Sequence, residues 1–253
     1  MLILFAMFIL GSLLGFVGAG GAGVVIGVLT AFFGVPIHTA LGTSLGAMGF
    51  TTLTGAFSHY REHNVVIKCG LIVGIFGALG ASLGVKIATL LPAQDLTRLT
   101  AYMLFLSAAL LWLRVTFSSS GKSPREGRNT RQGGPGFWFA ACGLGLVAGV
   151  LSGTFGIGAA PFIQLGLLFL FGLSLPQVAG TTMLVTLPIA LTGGLGYLSA
   201  GFLDISLFIK VVVGLMSGSY VGAKFTRRLH PVFLKTAVVV LPVAGGLLLL
   251  FGQ

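Results

Sequence analysis

The chain has 253 residues, of which 56% are hydrophobic and 7% charged, and its mean hydropathy is +1.08. A water-soluble domain of this length cannot cover its surface with so few charged side chains, so the composition predicts an integral membrane protein. A formal net charge of +10 would suggest nucleic-acid binding in a soluble protein. Here the lysines and arginines lie between apolar runs, where they act as topology signals, and we expect no nucleic-acid partner.

Two long stretches, residues 1–60 and 132–203, contain no Lys, Arg, Asp or Glu. Each is long enough for about three membrane crossings at ~20 residues per helix. The apolar runs are continuous rather than alternating, which favours helices over strands. The expected class is therefore an all-α integral membrane protein.

The first half is predicted to begin with a glycine-broken helix pair, either a re-entrant hairpin or a full crossing. Three spanning helices follow, and a basic linker rich in Ser, Gly, Pro and Arg separates this half from a second one of the same design. The predicted segments are a broken pair at 1–35, spans at 38–58, 66–91 and 99–115, the linker at 116–136, a broken pair at 138–173, and spans at 176–198, 206–226 and 234–251.

The two halves align without a gap at an offset of 138 residues, which predicts a first repeat at 1–115 and a second at 137–253. Such duplication is typical of transporter scaffolds. The coinciding residues are mainly glycines and hydroxyl residues: Gly11, Gly15, Gly18, Gly20, Gly42, Thr43, Gly80 and Gly84 match Gly149, Gly153, Gly156, Gly158, Gly180, Thr181, Gly218 and Gly222.

Loop charges predict how the halves are oriented. Short loops rich in Lys and Arg stay in the cytoplasm, so the linker is expected there. The loop near Arg61 is basic, whereas its second-half equivalent, residues 197–206, contains no cation. The next pair of loops reverses this bias, since residues 224–235 carry more cations than residues 86–98. Opposite biases indicate an inverted-topology repeat in a multi-pass plasma-membrane protein, with both termini outside.

Glycines interrupt the first helix pair of each half at Gly18, Gly20 and Gly21, and at Gly156 and Gly158. At membrane depth a broken helix frees backbone N–H groups, which is tolerated only where protein or a wet cavity satisfies them. Freed N–H groups at a helix N-terminus can bind an anion, so these glycines are candidate substrate-binding positions. The alternative is that they only allow close helix packing.

Each half also has a Gly–Thr segment near the start of its third helix. Hydroxyl groups there could donate to an oxyanion without placing full charges in the bilayer, although they could equally bond back to their own helix. We expect both segments to converge with the broken helices near the bilayer midplane. The candidate binding residues are Gly42, Thr43 and Ser44 in the first half and Gly180, Thr181 and Thr182 in the second.

Five further polar residues are secondary candidates. His38 and His59 could titrate, or simply lie at the membrane interface. Lys86 and Lys224 could attract an anion to a pore mouth, or extend their ammonium groups to the headgroups. Gln164 could line a pocket, or form an interhelical hydrogen bond.

The second half carries an extended motif pattern: Gly149-x-x-Ser152-Gly153-x-x-Gly156-Ile157-Gly158, then Pro161, then Ala179-Gly180-Thr181-Thr182, then Gly218-x-x-x-Gly222-Ala223-Lys224. With its degenerate copies in the first half, this pattern resembles the TauE/SafE family of sulfite and organosulfonate exporters, over nearly the whole chain apart from the linker. The resemblance implies a plasma-membrane permease for small sulfur-containing anions such as sulfite, sulfoacetate or related sulfonates. The family usually has a third glycine after Gly-Ile-Gly, where this chain has Ala159 and Ala160, so the pocket shape is expected to differ.

The predicted function is anion export by a potential-driven uniporter, with an anion channel or a proton-coupled transporter of another cargo as alternatives. The expected partners are a small anion and the lipid bilayer, and whether the chain forms a homodimer is left open. We expect no catalytic residue, cofactor or metal. A remote alternative is an intramembrane serine protease using Ser152 with a base such as His230, but Val150 stands where a Gly-x-Ser-Gly motif needs glycine.

Overall fold

A computed structural model describes residues 1–17, 22–119, 134–226 and 231–252. These residues are almost entirely helical and include no strand, which confirms the all-α class. In chain order the described helices are α1 (Leu2–Val17), α2 (Ala22–Phe33), α3 (Ile37–Arg61), α4 (Ile67–Leu90), α5 (Ala93–Ser119), α6 (Pro135–Phe155), α7 (Ala160–Phe171), α8 (Leu175–Ser199), α9 (Ile205–Thr226) and α10 (Pro231–Phe251).

Four of the described helices contain a segment long and apolar enough to cross a membrane: Ile67–Leu90, Ala93–Leu113, Gly136–Phe155 and Leu175–Ser199. Helices α2 and α7 are apolar but have only 12 residues each. At about 1.5 Å per residue they span roughly 18 Å, less than the ~30 Å hydrocarbon core. Neither can cross a bilayer alone.

The helix order repeats at the offset of 138. Adding 138 to the bounds of α2 (22 and 33) gives those of α7 (160 and 171), and adding it to α3 (37 and 61) gives α8 (175 and 199). Helices α9 and α10 likewise start 138 residues after α4 and α5. We call positions separated by 138 residues equivalent.

The packing follows the same equivalence. Helix α4 packs on α6, and their equivalents α9 and α1 pack on each other. The equivalent helices α3 and α8 also pack together. Gly42 at the start of α3 lies against Tyr197 near the end of α8, and Gly55 near the end of α3 lies against Met183 near the start of α8. The two helices therefore run antiparallel.

Glycines bring α4 and α6 into backbone contact. A Cβ added to Gly149 would overlap the carbonyl oxygen of Gly77, and one added to Gly84 would overlap that of Val150. A side chain at either position would push the helices apart. Close packing is thus the role of this glycine row, as small residues allow in membrane bundles.

One predicted loop is shorter than expected. The predicted span at 66–91 matches α4, but residues 92–98 were expected to form a loop and α5 already begins at Ala93. The expectation was wrong because Pro92 fits just ahead of a helix and Asp95 in the first turn of α5 complements the positive end of the helix dipole. At the linker, α5 extends to Ser119 and α6 begins at Pro135. Residues 120–133 lie outside the described residues.

Candidate anion site

The connection between α6 and α7, residues 156–159, has an unusual backbone. We call it the α6–α7 break. Gly156 and Gly158 have φ values of 65° and 70°, and Ala159 has a φ of 46°. Residues 152–161 are all buried. Glycine adopts positive φ without strain, whereas alanine at Ala159 must be held there by its surroundings.

Three consecutive N–H groups in the α6–α7 break have no hydrogen-bond partner among the described residues. The flanking groups are satisfied, since Gly156 N–H donates to the Ser152 carbonyl at 2.8 Å and Ile163 N–H to the Ala159 carbonyl at 3.0 Å. Between them, the N–H groups of Ile157, Gly158 and Ala159 donate to nothing within the described part of the chain.

Buried backbone N–H groups without a partner are rare in native structures. Successive N–H groups in residues that mix right- and left-handed conformations form a concave, electropositive nest that binds anions. The N-terminus of α7, which begins one residue later at Ala160, adds the positive end of its dipole. The α6–α7 break therefore has donor groups of the kind that bind small oxyanions.

The α6–α7 break lies against the first half of α3 and the middle of α8. Gly156 lies against Leu41 of α3, and Gly158 lies against the Met48 sulfur with Thr186 of α8 also close. At the end of α6, the Tyr197 hydroxyl donates to the Gly153 carbonyl at 2.9 Å. The sequence-predicted glycines Gly156 and Gly158 are thus at a contact between both halves.

The four predicted hydroxyl residues are all buried but differ in their hydrogen bonds. Ser44 donates to the Ala22 carbonyl at 3.0 Å, and Thr182 donates to the Val178 carbonyl at 2.7 Å. Thr43 Oγ1 has no hydrogen-bond partner. Thr181 Oγ1 accepts from Val66 N–H at 3.0 Å, which leaves its own hydrogen uncommitted. Only Thr43 and Thr181 retain a hydroxyl donor for a ligand.

The two Gly–Thr segments do not meet. Gly42 lies beside Tyr197, whereas Gly180 lies beside His59 and the Asn64 carbonyl, near the end of α3. Because α3 and α8 are antiparallel, the segments lie at Gly42 and near His59 of α3, about 17 residues or roughly 25 Å apart at the helical rise. The expectation that they converge at the midplane was wrong, since equivalent positions on antiparallel helices lie at opposite ends.

His59 lies at one end of the α3–α8 pair, and Tyr197 lies at the other end. These two residues are 138 positions apart, so they are equivalent in the repeat but chemically different. Tyr197 is fully buried. The His59 side chain is 30% exposed, and its Nδ1 lies 3.9 Å from a Glu62 carboxylate oxygen. The Tyr197 end is therefore closed by a buried ring, and the His59 end is partly open.

The secondary candidates are dispersed. His38 Nε2 donates to the Ala88 carbonyl at 3.0 Å, and its ring stacks on Phe202. Lys86 is exposed on α4, and Gln164 is buried on α7. The Lys224 side chain lies outside the described residues, as do Gly18, Gly20 and Gly21.

Ser152 and Tyr197 contribute to this region but were not predicted as binding residues. Ser152 is fully buried, and its Oγ has no hydrogen-bond partner, so no histidine of the described chain activates it. His230 lies outside the described residues. The repeat offset could have identified Tyr197, because Tyr197 is the position equivalent to the candidate His59. No sequence signal distinguishes the Ser152 hydroxyl from one bonded to its own helix.

No charged side chain is buried within the described residues. The buried polar residues are hydroxyl residues and one amide: Thr43, Ser44, Thr52, Thr97, Thr100, Ser107, Ser152, Thr154, Gln164, Thr181, Thr182 and Thr186. An anion entering this interior meets neutral donors only.

Comparison with known proteins shows a family match and several similar sequences. The family described as Sulfite exporter TauE/SafE matches residues 3–249. The probable membrane transporter protein YdhB of Bacillus subtilis is 53% identical over 251 residues, 99% of this chain and 100% of that protein. The probable membrane transporter protein YjnA of the same organism is 24% identical over 98% of both chains. The probable membrane transporter protein MJ0441 of Methanocaldococcus jannaschii is 25% identical over 98% of this chain and 95% of its own. No solved structure matches this chain.

Proposed function

The chain belongs to the TauE/SafE family of membrane transporters, and from this premise we propose that it exports small sulfur-containing anions across the plasma membrane. The cargo class is sulfite, sulfoacetate or a related organosulfonate. The observation that carries the proposal is the set of three buried N–H groups in the α6–α7 break that have no partner among the described residues. The protein acts as a transporter and not as an enzyme.

Neutral donors suit transport of an oxyanion. Hydrogen bonds from N–H and O–H groups to a charged ligand are strong enough to replace part of its hydration shell. Conduction also requires that a bound ion can leave, which a deeply buried lysine or arginine would hinder. The buried interior of the described chain offers neutral N–H and O–H donors and no cationic side chain.

We further propose that the two repeats have inverted topology. The antiparallel packing of the equivalent helices α3 and α8 supports this, because a two-fold axis in the membrane plane reverses every helix it relates. With the 116–136 linker in the cytoplasm, the loop between α3 and α4 is cytoplasmic and both termini are outside. Labelling of single cysteines in the linker from the external face would refute this orientation.

A direct test removes one donor of the α6–α7 break. Ile157→Pro deletes an N–H group at a residue whose φ is not positive, and Ile157→Val is the control that keeps this group. Uptake into proteoliposomes is measured for sulfite, sulfoacetate, taurine, sulfate and chloride. Loss of one hydrogen bond to a charged ligand costs about 1.5–3 kcal/mol, so the proline variant should bind the transported anion at least tenfold more weakly.

A second variant keeps the test informative if the proline variant does not fold. Ser152→Ala removes a buried hydroxyl that bonds to nothing, so it should fold as well as the parent chain. Thermal unfolding of both variants reports whether they fold. Equal transport by the parent, Ile157→Pro and Ser152→Ala would exclude the α6–α7 break as the anion site. Transport of chloride alone would exclude the proposed cargo class.

A further inference from the structure

A first-half side chain, Met48 of α3, lies directly on the α6–α7 break. A Cβ added to Gly158 would overlap both the sulfur and the methyl carbon of Met48, which is 6% exposed. The N and Cβ atoms of one residue are ~2.5 Å apart, so the Met48 sulfur is within about 5 Å of the Gly158 nitrogen. Gly158 carries the middle one of the three N–H groups without a partner among the described residues. An anion bound by these groups is therefore a near neighbour of the Met48 thioether.

Ala159 fills space beside the next donor. It is 0% exposed, and its φ of 46° lies in the region that favours glycine. Its methyl carbon is ~2.5 Å from its own nitrogen, which carries the third of these N–H groups. A glycine at position 159 would fit this backbone without strain and leave more space at the donor. The alanine thus makes the site smaller than its backbone requires.

Two further contacts of the α6–α7 break present apolar atoms. A Cβ added to Gly156 would lie 3.1 Å from the Leu41 Cα, so the backbone of α3 closes that side. The Thr186 methyl carbon is 3.9 Å from a Cβ added to Gly158, and the Thr186 hydroxyl is occupied, since it donates to the Thr182 carbonyl at 2.8 Å. These contacts leave the three N–H groups next to apolar and closely packed neighbours.

We propose that Met48 and Ala159 select the cargo, and that they restrict it to compact sulfur oxyanions such as sulfite or methanesulfonate. A longer organic tail needs the space that these two side chains occupy. A second charge, such as the carboxylate of sulfoacetate or the ammonium of taurine, would be buried without a partner, because no charged side chain is buried within the described residues. The flexible Met48 side chain can move aside for a small headgroup. This inference rests on the proposed function and narrows its cargo.

Two sulfonates that differ only in their tails test the size limit. Methanesulfonate and butanesulfonate have the same headgroup and charge, and their uptake into proteoliposomes is compared at equal concentration. We expect the parent chain to transport methanesulfonate at least tenfold faster, since a single methylene group in a closed pocket can change specificity roughly tenfold. Met48→Ala should reduce this preference at least fivefold, and Ala159→Gly should reduce it as well. Met48→Leu, which keeps most of the bulk, should preserve it.

Stability and a matched methionine separate selection from general loosening of the core. Met7 is fully buried between α1 and α9, where it contacts Gly214, and this helix pair includes neither α6 nor α7. Met7→Ala should therefore keep the preference of the parent, although it removes a buried methionine just as Met48→Ala does. Ala159→Gly should fold even if Met48→Ala does not, because glycine adopts a positive φ without strain. Thermal unfolding of each variant reports whether it folds.

The outcomes distinguish this inference from the proposed function. Equal transport of methanesulfonate and butanesulfonate by the parent would overturn the size limit alone. An unchanged preference in Ala159→Gly and in folded Met48→Ala would overturn the assignment of these two residues. A parent chain that transports neither sulfite nor any sulfonate would overturn the proposed function itself.

Discussion

Thr43 and Thr181 occupy equivalent positions, but valine at each should have different consequences. Both substitutions remove a hydroxyl donor that is free to bind an anion, so each should reduce transport roughly tenfold. Thr181→Val also leaves Val66 N–H without its acceptor, which should lower the free energy of unfolding by about 1–3 kcal/mol. Thr43→Val carries no such cost, because its hydroxyl has no partner to lose. Transport assays and thermal unfolding measure the two effects.

Thr182→Val is the matched control, since its hydroxyl donates within its own helix to the Val178 carbonyl. It should transport at close to the parent rate. Full transport by both Thr43→Val and Thr181→Val would remove these residues from the path. A reduction as large in Thr182→Val would mean that α8 tolerates no valine in this turn.

At the scale of single residues, the sequence predicted which hydroxyl residues lie in the interior but not their hydrogen bonds. The repeat identified Thr43, Ser44, Thr181 and Thr182 together, and all four are buried. It could not separate free donors from satisfied ones, because Ser44 bonds to a residue 22 positions away and Thr181 to one 115 positions away. Such partners are fixed by tertiary packing and not by local pattern.

At the scale of the helices, close packing of α4 on α6 requires glycine at some positions of α6 and not at others. In Gly149→Ala the new methyl group would overlap the Gly77 carbonyl, so the helices must separate and packing is lost. Gly143→Ala is the control on the same helix, because nothing lies within 4 Å of an added Cβ there. We expect Gly149→Ala to lose about 1–3 kcal/mol of stability, and Gly143→Ala to change it little or gain up to about 1 kcal/mol. Thermal unfolding in detergent compares the two, and equal unfolding temperatures would contradict this account of the contact.

The helices themselves were predictable because hydropathy and proline positions are local signals. The predicted spans at 38–58 and 176–198 fall within α3 and α8, which begin directly after Pro36 and with Pro176 in the first turn. The relation between these helices was harder to predict. Loop charge indicated inversion, but only the packing shows that antiparallel α3 and α8 separate the two Gly–Thr segments instead of uniting them.

For the whole molecule, the membrane potential can supply the driving force. An anion leaving a cell with a negative interior moves down the potential, and each charge contributes ~2.3 kcal/mol per 100 mV. A potential of ~100 mV therefore favours export of a monoanion roughly fiftyfold before any ion coupling. No carboxylate is buried within the described residues to carry a counter-proton. A uniporter driven by potential and concentration is the mechanism that needs no further component.

Histidine is the alternative proton carrier, and the two candidates differ in their surroundings. His38 is engaged with the Ala88 carbonyl and the Phe202 ring, whereas the His59 ring is partly exposed beside Glu62. The test uses a simple sulfonate, which stays ionised across the pH range, in proteoliposomes with the potential clamped by valinomycin and potassium. A uniporter should follow the imposed potential and ignore the pH difference at fixed voltage, in the parent and in His59→Ala alike. Transport that follows the pH difference in the parent and loses this dependence in His59→Ala would make the protein a proton-coupled carrier, with His59 at the open end of the α3–α8 pair as its proton site.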